Sequence, residues 1–149
     1  MAQTSADIQQ TFQLFILPGA NFQTSEEAFV AARDIHLPAL RQTFRDCFRA
    51  NNLAALAFPT TQIAAPPIGQ DRQVELNAEM AAFQTVISRN ISPGSTAGLP
   101  GLVMPTGLTS NGLPVSIELD GPEGSDRVLL SLGQEIHKVI GVLPPPTGV

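Results

Sequence analysis

Tryptophan and tyrosine are absent from this chain of 149 residues, and it carries one cysteine and one lysine. A lone Cys47 can form no intrachain disulfide, so no disulfide framework holds the fold. With His36 and His137 it makes none of the CxxC, HxxxH or HExxH spacings, and neither a metal site nor a cofactor is expected. Set between Phe44 and Phe48, Cys47 reads as a small core hydrophobe. Charge is scarce as well. Charged residues make up 14%, against about a quarter in an ordinary soluble domain. Part of the surface is therefore expected to be hidden, either by further chain or by an oligomeric partner. Arg41, Arg45 and Arg49 fall at i, i+4 and i+8 and share a helical face. With Asp46 among them and a net charge of −5, they are too few to track phosphates, and nucleic acid is not an expected partner. No apolar run approaches the roughly 20 residues of a membrane span. The polar stretch Met1–Gln10 lacks a basic region followed by an apolar one, so no secretory leader is expected and the cytoplasm is the default compartment.

What the chain does have is apolar content. Hydrophobic residues make up 43%, enough for a packed core rather than a disordered segment. Residues 1–39 read as a helical extension. Within it Phe12–Leu17 is a short apolar run, and Ser25 is an N-cap before first-turn acids Glu26 and Glu27. Pro38 suits the first residue of a second helix, whose stripe is Leu37, Leu40, Phe44, Cys47 and Phe48. Asn51 and Asn52 stop it. Leu53–Phe58 reads as a buried strand of a mostly parallel sheet.

Thr60–Asp71, with Pro66, Pro67 and Gly69, is expected to be loop. Val74–Ser88 reads as a helix with Leu76, Met80, Phe83 and Ile87 on one face, and Arg89–Gly98 as a Ser/Pro/Gly loop. Gly101–Pro105 is a second strand. Asn111-Gly112 centres a hairpin turn, and Pro114–Leu119 alternates, with Val115, Ile117 and Leu119 opposed to Ser116 and Glu118. Ser125 is read as the cap of a last helix with stripe Val128, Leu132, Ile136 and Val139, ended by Gly141 and followed by the stiff Pro144–Pro146 tail. The order is α/β. Three strands make a thin sheet, so the sheet is expected to be incomplete in this chain.

One stretch is far more specific than the rest. It runs Arg89-Asn-Ile-Ser-Pro-Gly-Ser-Thr-Ala-Gly-Leu-Pro-Gly-Leu102, then Pro105-Thr-Gly107, Gly112-Leu-Pro-Val115, Glu118-Leu-Asp-Gly-Pro122 and Asp126-Arg-Val-Leu-Leu130. With Phe58-Pro-Thr-Thr61 and Ala65-Pro66 before it, this resembles the C-terminal signature of the amidase-signature family. It is most similar to the branch that includes indoleacetamide and mandelamide hydrolases. The resemblance covers about residues 40–141 and leaves 142–149 as a Pro-rich tail. Ser95 stands where many members carry Asn. Ser116 replaces the usual Gly, which adds bulk at a sheet contact.

The resemblance implies the C-terminal part of a mixed-sheet α/β fold, and hydrolysis of a small carboxylic amide, of aryl-acetamide type, through a Ser-Ser-Lys acyl-enzyme mechanism. The family's two Ser and its Lys lie upstream in a Gly/Ser-rich segment. This chain has no Gly-Gly-Ser-Ser-Gly, and its one lysine, Lys138, sits in the last helix. No catalytic residue is therefore carried over. What the resemblance offers instead is a substrate-pocket wall: Ser92, Pro93, Gly94, Ser95, Ala97 and Gly98, with Phe83 and Met104 adding apolar contact. Two alternatives stand beside the fragment reading. The chain is one subunit of a split amidase, completed by a partner chain that carries the Ser-Ser-Lys set, or it is a noncatalytic module that kept the fold and lost the chemistry; the scarcity of charge also fits a homo-oligomer.

Overall fold

The computed structural model describes residues 24–70 and 72–143, and within it the chain divides into two compact units, Met1–Pro38 and Ala39–Val149. The Phe12–Leu17 run, the polar start and the Pro144–Pro146 tail lie outside the described residues.

In the first unit the Ser25 hydroxyl accepts the Ala28 N–H at 3.2 Å, so the cap read from the sequence is made, and helix α1 follows over Glu26–Ala31. A π-helical turn, Ala32–His36, comes next, where the Leu37 N–H reaches back five residues to the Ala32 carbonyl. The wide turn directly precedes Pro38, whose ring would otherwise crowd the carbonyl four residues back. Pro38 is the second residue of helix α2, Leu37–Ala50.

In α2 the expected stripe is the inward one: Phe48 is buried, and Leu40, Phe44 and Cys47 are half-buried. Asn51 and Asn52 end it, with Asn52 left-handed at φ 51°.

The main sheet has three strands in the order β1-β5-β4: β1 Leu56–Pro59, β4 Gly101–Leu108 and β5 Pro114–Asp120. The central β5 is antiparallel to both neighbours, with Phe58 and Val103 both opposite Glu118. The parallel setting expected for the Leu53–Phe58 run is thus corrected: its neighbour is the return strand of a hairpin, which runs the other way. The two outer strands, β1 and β4, run parallel to each other without pairing. The β4–β5 turn is the one the Asn-Gly pair announced, with Gly112 at φ 78° and the Thr109 N–H on the Leu113 carbonyl at 2.8 Å. Thr106 is the extra residue of a bulge between Pro105 and Gly107.

Helix α4, Asp126–Ile140, covers one face of this sheet. Leu129 packs on Met104 and Leu119, flanked by Leu102, Ile117, Leu132 and Ile136. The inward stripe is therefore Leu129, Leu132, Gly133 and Ile136. Val128 and Val139 of the expected stripe face outward, at 48% and 88% exposure. Gly133 is needed in the contact: a Cβ there would meet Leu102 at 2.5 Å and the Met104 sulfur at 3.3 Å.

Two sequence readings are overturned between these strands. Val74–Leu76 and Met80–Ala82 are not helix. They belong to a hairpin of β2 Gln73–Leu76 and β3 Glu79–Ala82, turned by Asn77 and Ala78, both left-handed. Helical propensity gives way because the hairpin buries Val74, 5% exposed. The expected Arg89–Gly98 loop is the second half of helix α3, Phe83–Ala97, which contains Pro93. It closes with Gly98 left-handed at φ 78°. The Leu99 N–H then reaches the Gly94 carbonyl and the Gly98 N–H the Ser95 carbonyl, a Schellman cap.

Candidate functional site

The groove that holds one of the expected pocket residues lies between the Pro-Thr segment and the start of α3. Its volume is about 450 Å3. Phe83 and Ile87, one helical turn apart, form its floor; Thr61–Pro66 forms one wall, and Pro114–Ser116 with Thr109 the other. The wall is held at its base. The Thr60 N–H donates to the Ser116 carbonyl at 3.1 Å, prolonging the β1–β5 pairing past Pro59. The Ser116 hydroxyl donates to Thr60 Oγ1 at 2.9 Å, so the Ser that replaces the family's Gly is half-buried and satisfied. Asn90 of α3 donates to the Pro59 carbonyl at 2.7 Å, and the Thr61 hydroxyl to the Ile63 carbonyl at 2.7 Å. An apolar floor with a few fixed polar groups at its edge is the usual build of a small-molecule site.

The other expected wall residues are not in that groove. Because α3 continues to Ala97, Ser92, Pro93 and Ser95 are exposed on a helix rather than strung along a loop. Gly94 is buried against the Asp120 carboxylate. The Ala97 carbonyl accepts from Arg41 Nε at 2.9 Å, and Gly98 is the helix cap. Met104 belongs to the core under α4, on the far face of the sheet from Glu118 and Asp120. The structure thus brings Phe83 to a groove and separates it from Met104 and from the Ser92–Gly98 segment.

Two residues without a role in the sequence reading emerge from β5. Glu118 and Asp120 are 7% and 4% exposed and share the face opposite Leu119. Among the described residues no hydrogen-bond donor reaches Glu118 Oε2. Burial pushes both carboxyls above their ordinary range, and for Glu118 the neighbouring Asp120 charge adds to it. The strict alternation of β5 was the available signal; what covers that face was not visible in the sequence.

No described residues assemble into an acyl-transfer set. Lys138 donates to Glu135 Oε1 at 2.6 Å on exposed α4, and the Ser88 and Ser131 hydroxyls donate to backbone carbonyls one turn back. Among the described residues no group of three His, Cys, Asp or Glu could hold a metal ion, and no helix is long and apolar enough to cross a membrane.

Comparison with known proteins agrees with this architecture. The amidase family model matches residues 4–130. Indoleacetamide hydrolase of Agrobacterium vitis is 43% identical over 118 residues, which span 79% of this chain and 25% of that protein. Mandelamide hydrolase of Pseudomonas putida is 34% identical over 153 aligned residues, 97% of this chain and 29% of that one. A crystal structure of an amidase superposes with a TM-score of 0.70 at 28% identity, over 79% of this chain and 26% of that one. The chain thus spans about a quarter of the length of the curated relatives it matches, 25% in the first case. By the extent of the family match and by these likenesses, the chain belongs to the amidase family.

Proposed function

We propose that this chain is the C-terminal segment of an amidase-signature hydrolase that cleaves the C–N bond of a small carboxylic amide of aryl-acetamide type. In this reading the Ser-Ser-Lys set comes from sequence upstream, and the chain contributes a substrate-side wall. The observation that carries it is the groove floored by Phe83 and Ile87, apolar and large enough for an aromatic ring, beneath a Pro-Thr segment anchored to β5 and α3. The relatives' names, indoleacetamide and mandelamide hydrolase, support an amide with an aromatic body. A nucleophile activated upstream would need from this wall only shape and exclusion of water, which an apolar floor supplies.

The test is complementation. The indoleacetamide hydrolase of Agrobacterium vitis, deleted of the region matched by this chain, is joined to the chain, and ammonia release from an arylacetamide is followed. The fused enzyme should turn over the amide and the chain alone should not. A fusion that folds but stays inactive, while the same parent with its own tail is active, would sink the reading.

A further inference from the structure

A second cleft, of about 440 Å3, lies in the Ala39–Val149 unit, where α2 meets the turn after α3 and the turn after β5. Three guanidinium groups line it: Arg41, Arg45 and Arg49, spaced so that one helical face presents all three. Its floor is apolar, made by Phe48, Leu53, Leu99 and Pro122. Phe48 is buried, with the Phe44 ring beside it, centroids 6.5 Å apart.

Among the described residues the arginines are held but little neutralised. Arg41 spends its Nε on the Ala97 carbonyl at 2.9 Å, which leaves the paired Nη groups to donate. Its Nη2 lies over Gly98, 3.7 Å from where a Cβ would stand. Arg45 meets Glu123 only at 3.9 Å, a loose exposed pair. Among the described residues no carboxylate lies within ion-pair distance of Arg41 or Arg49. In a chain with eight basic residues and a net charge of −5, three cations around one apolar cleft are a concentrated positive site.

We propose that this cleft binds a small organic carboxylate with an apolar body. The guanidinium fork suits a carboxylate in two-point contact, and the Phe48 floor suits a flat hydrocarbon group. Glu123 at the rim offsets only one of the three cations, so what favours an arylcarboxylate over phosphate is the apolar floor, which phosphate leaves uncovered. The cleft is separate from the Phe83 groove, and the inference stands whether or not that groove binds an amide.

Because the chain has no Trp or Tyr, the fluorescence of 1-naphthaleneacetate can be read against a dark protein background. Titration of the Phe83→Ala variant of the 149-residue chain, which removes the floor of the amide groove, should show saturable binding, and the neutral 1-naphthaleneacetamide should bind about tenfold more weakly. Inorganic phosphate should fail to displace the probe. The Arg45→Met/Arg49→Met variant keeps the stems over the floor and should weaken binding about tenfold. Glu123→Gln should tighten it about threefold by freeing Arg45, a gain that no loss of folding can imitate. Absence of saturable binding, equal binding of acid and amide, ready displacement by phosphate, or indifference to both variants would each overturn the proposal.

Discussion

The Asp120 carboxylate lies directly over the α-carbon of Gly94. A Cβ on that glycine would overlap Asp120 Oδ2 and stand 2.9 Å from Cγ. This contact sets how closely α3 approaches the sheet. It also explains a glycine deep in the last turns of a helix, where it costs about 1 kcal/mol relative to alanine.

Gly94→Ala is therefore expected to destabilise the chain by about 1–3 kcal/mol despite the better helix former, because buried Asp120 has little room to turn aside. Urea unfolding measures it. Asp120→Ala in the Gly94→Ala background should recover part of the loss, giving a coupling between the two sites. Simple additivity would mean that the two residues do not touch.

Glu118 and Asp120 give the chain a pH dependence of definite sign. Both carboxyls titrate above their ordinary range, chiefly through burial. The native state therefore keeps protons that the unfolded chain has already released. The stability from these groups is complete below their unfolded values near pH 4 and is lost as the pH rises through the folded ones. As the pH rises above about 4 the urea midpoint should fall, and Glu118→Gln/Asp120→Asn should flatten that fall. An unchanged slope in the double variant would show that other groups set it.

Ser125 stands at the start of α4, yet its hydroxyl makes no cap bond. Its Oγ is buried, without a partner among the described residues, and fills the space where a Cβ on Gly121 would go. Ser125→Ala should be neutral, or stabilising by up to about 1 kcal/mol, since it removes a desolvated hydroxyl that gains nothing in return. A working cap would lose about 1 kcal/mol in the same experiment. Thermal unfolding of the single variant separates the two.

Local chemistry made much of the fold legible. The Asn111-Gly112 pair and the alternation of Val115, Ile117 and Leu119 specify the β4–β5 hairpin without any distant contact. Ser25 caps its helix because its partner, Ala28, lies three residues on. The misreadings lie where tertiary contact outweighs local preference. Ser92, Pro93 and Gly94 look like loop by composition, but Gly94 is set by Asp120 and Pro93 sits on the solvent side, so the helix runs through. Ala78 turns the β2–β3 hairpin at φ 64°, a conformation its side chain does not advertise. Phe83 is named from the sequence by resemblance alone, and its place in the groove floor follows from the fold around it. The burial of Asp120 depends on Gly94 of α3 lying against it from far along the chain, and periodicity alone shows only that Glu118 and Asp120 share a face with Ser116.

Phe83 and Met104, grouped together by the sequence reading, should part in experiment. Phe83 floors the groove and is half-buried, whereas Met104 is 8% exposed inside the Leu119–Leu129 cluster. In the complemented enzyme, Phe83→Ala should raise KM for an arylacetamide about tenfold with little change in kcat, the mark of binding lost equally from ground and transition states. Met104→Ala should leave KM unchanged and cost about 2–4 kcal/mol of stability, through the cavity left beneath α4. Ser92→Ala, on the exposed side of α3, should move stability by no more than about 0.5 kcal/mol. If Phe83→Ala changed only stability while Ser92→Ala shifted KM, the wall would be the outer face of α3 and the groove merely a gap between core elements.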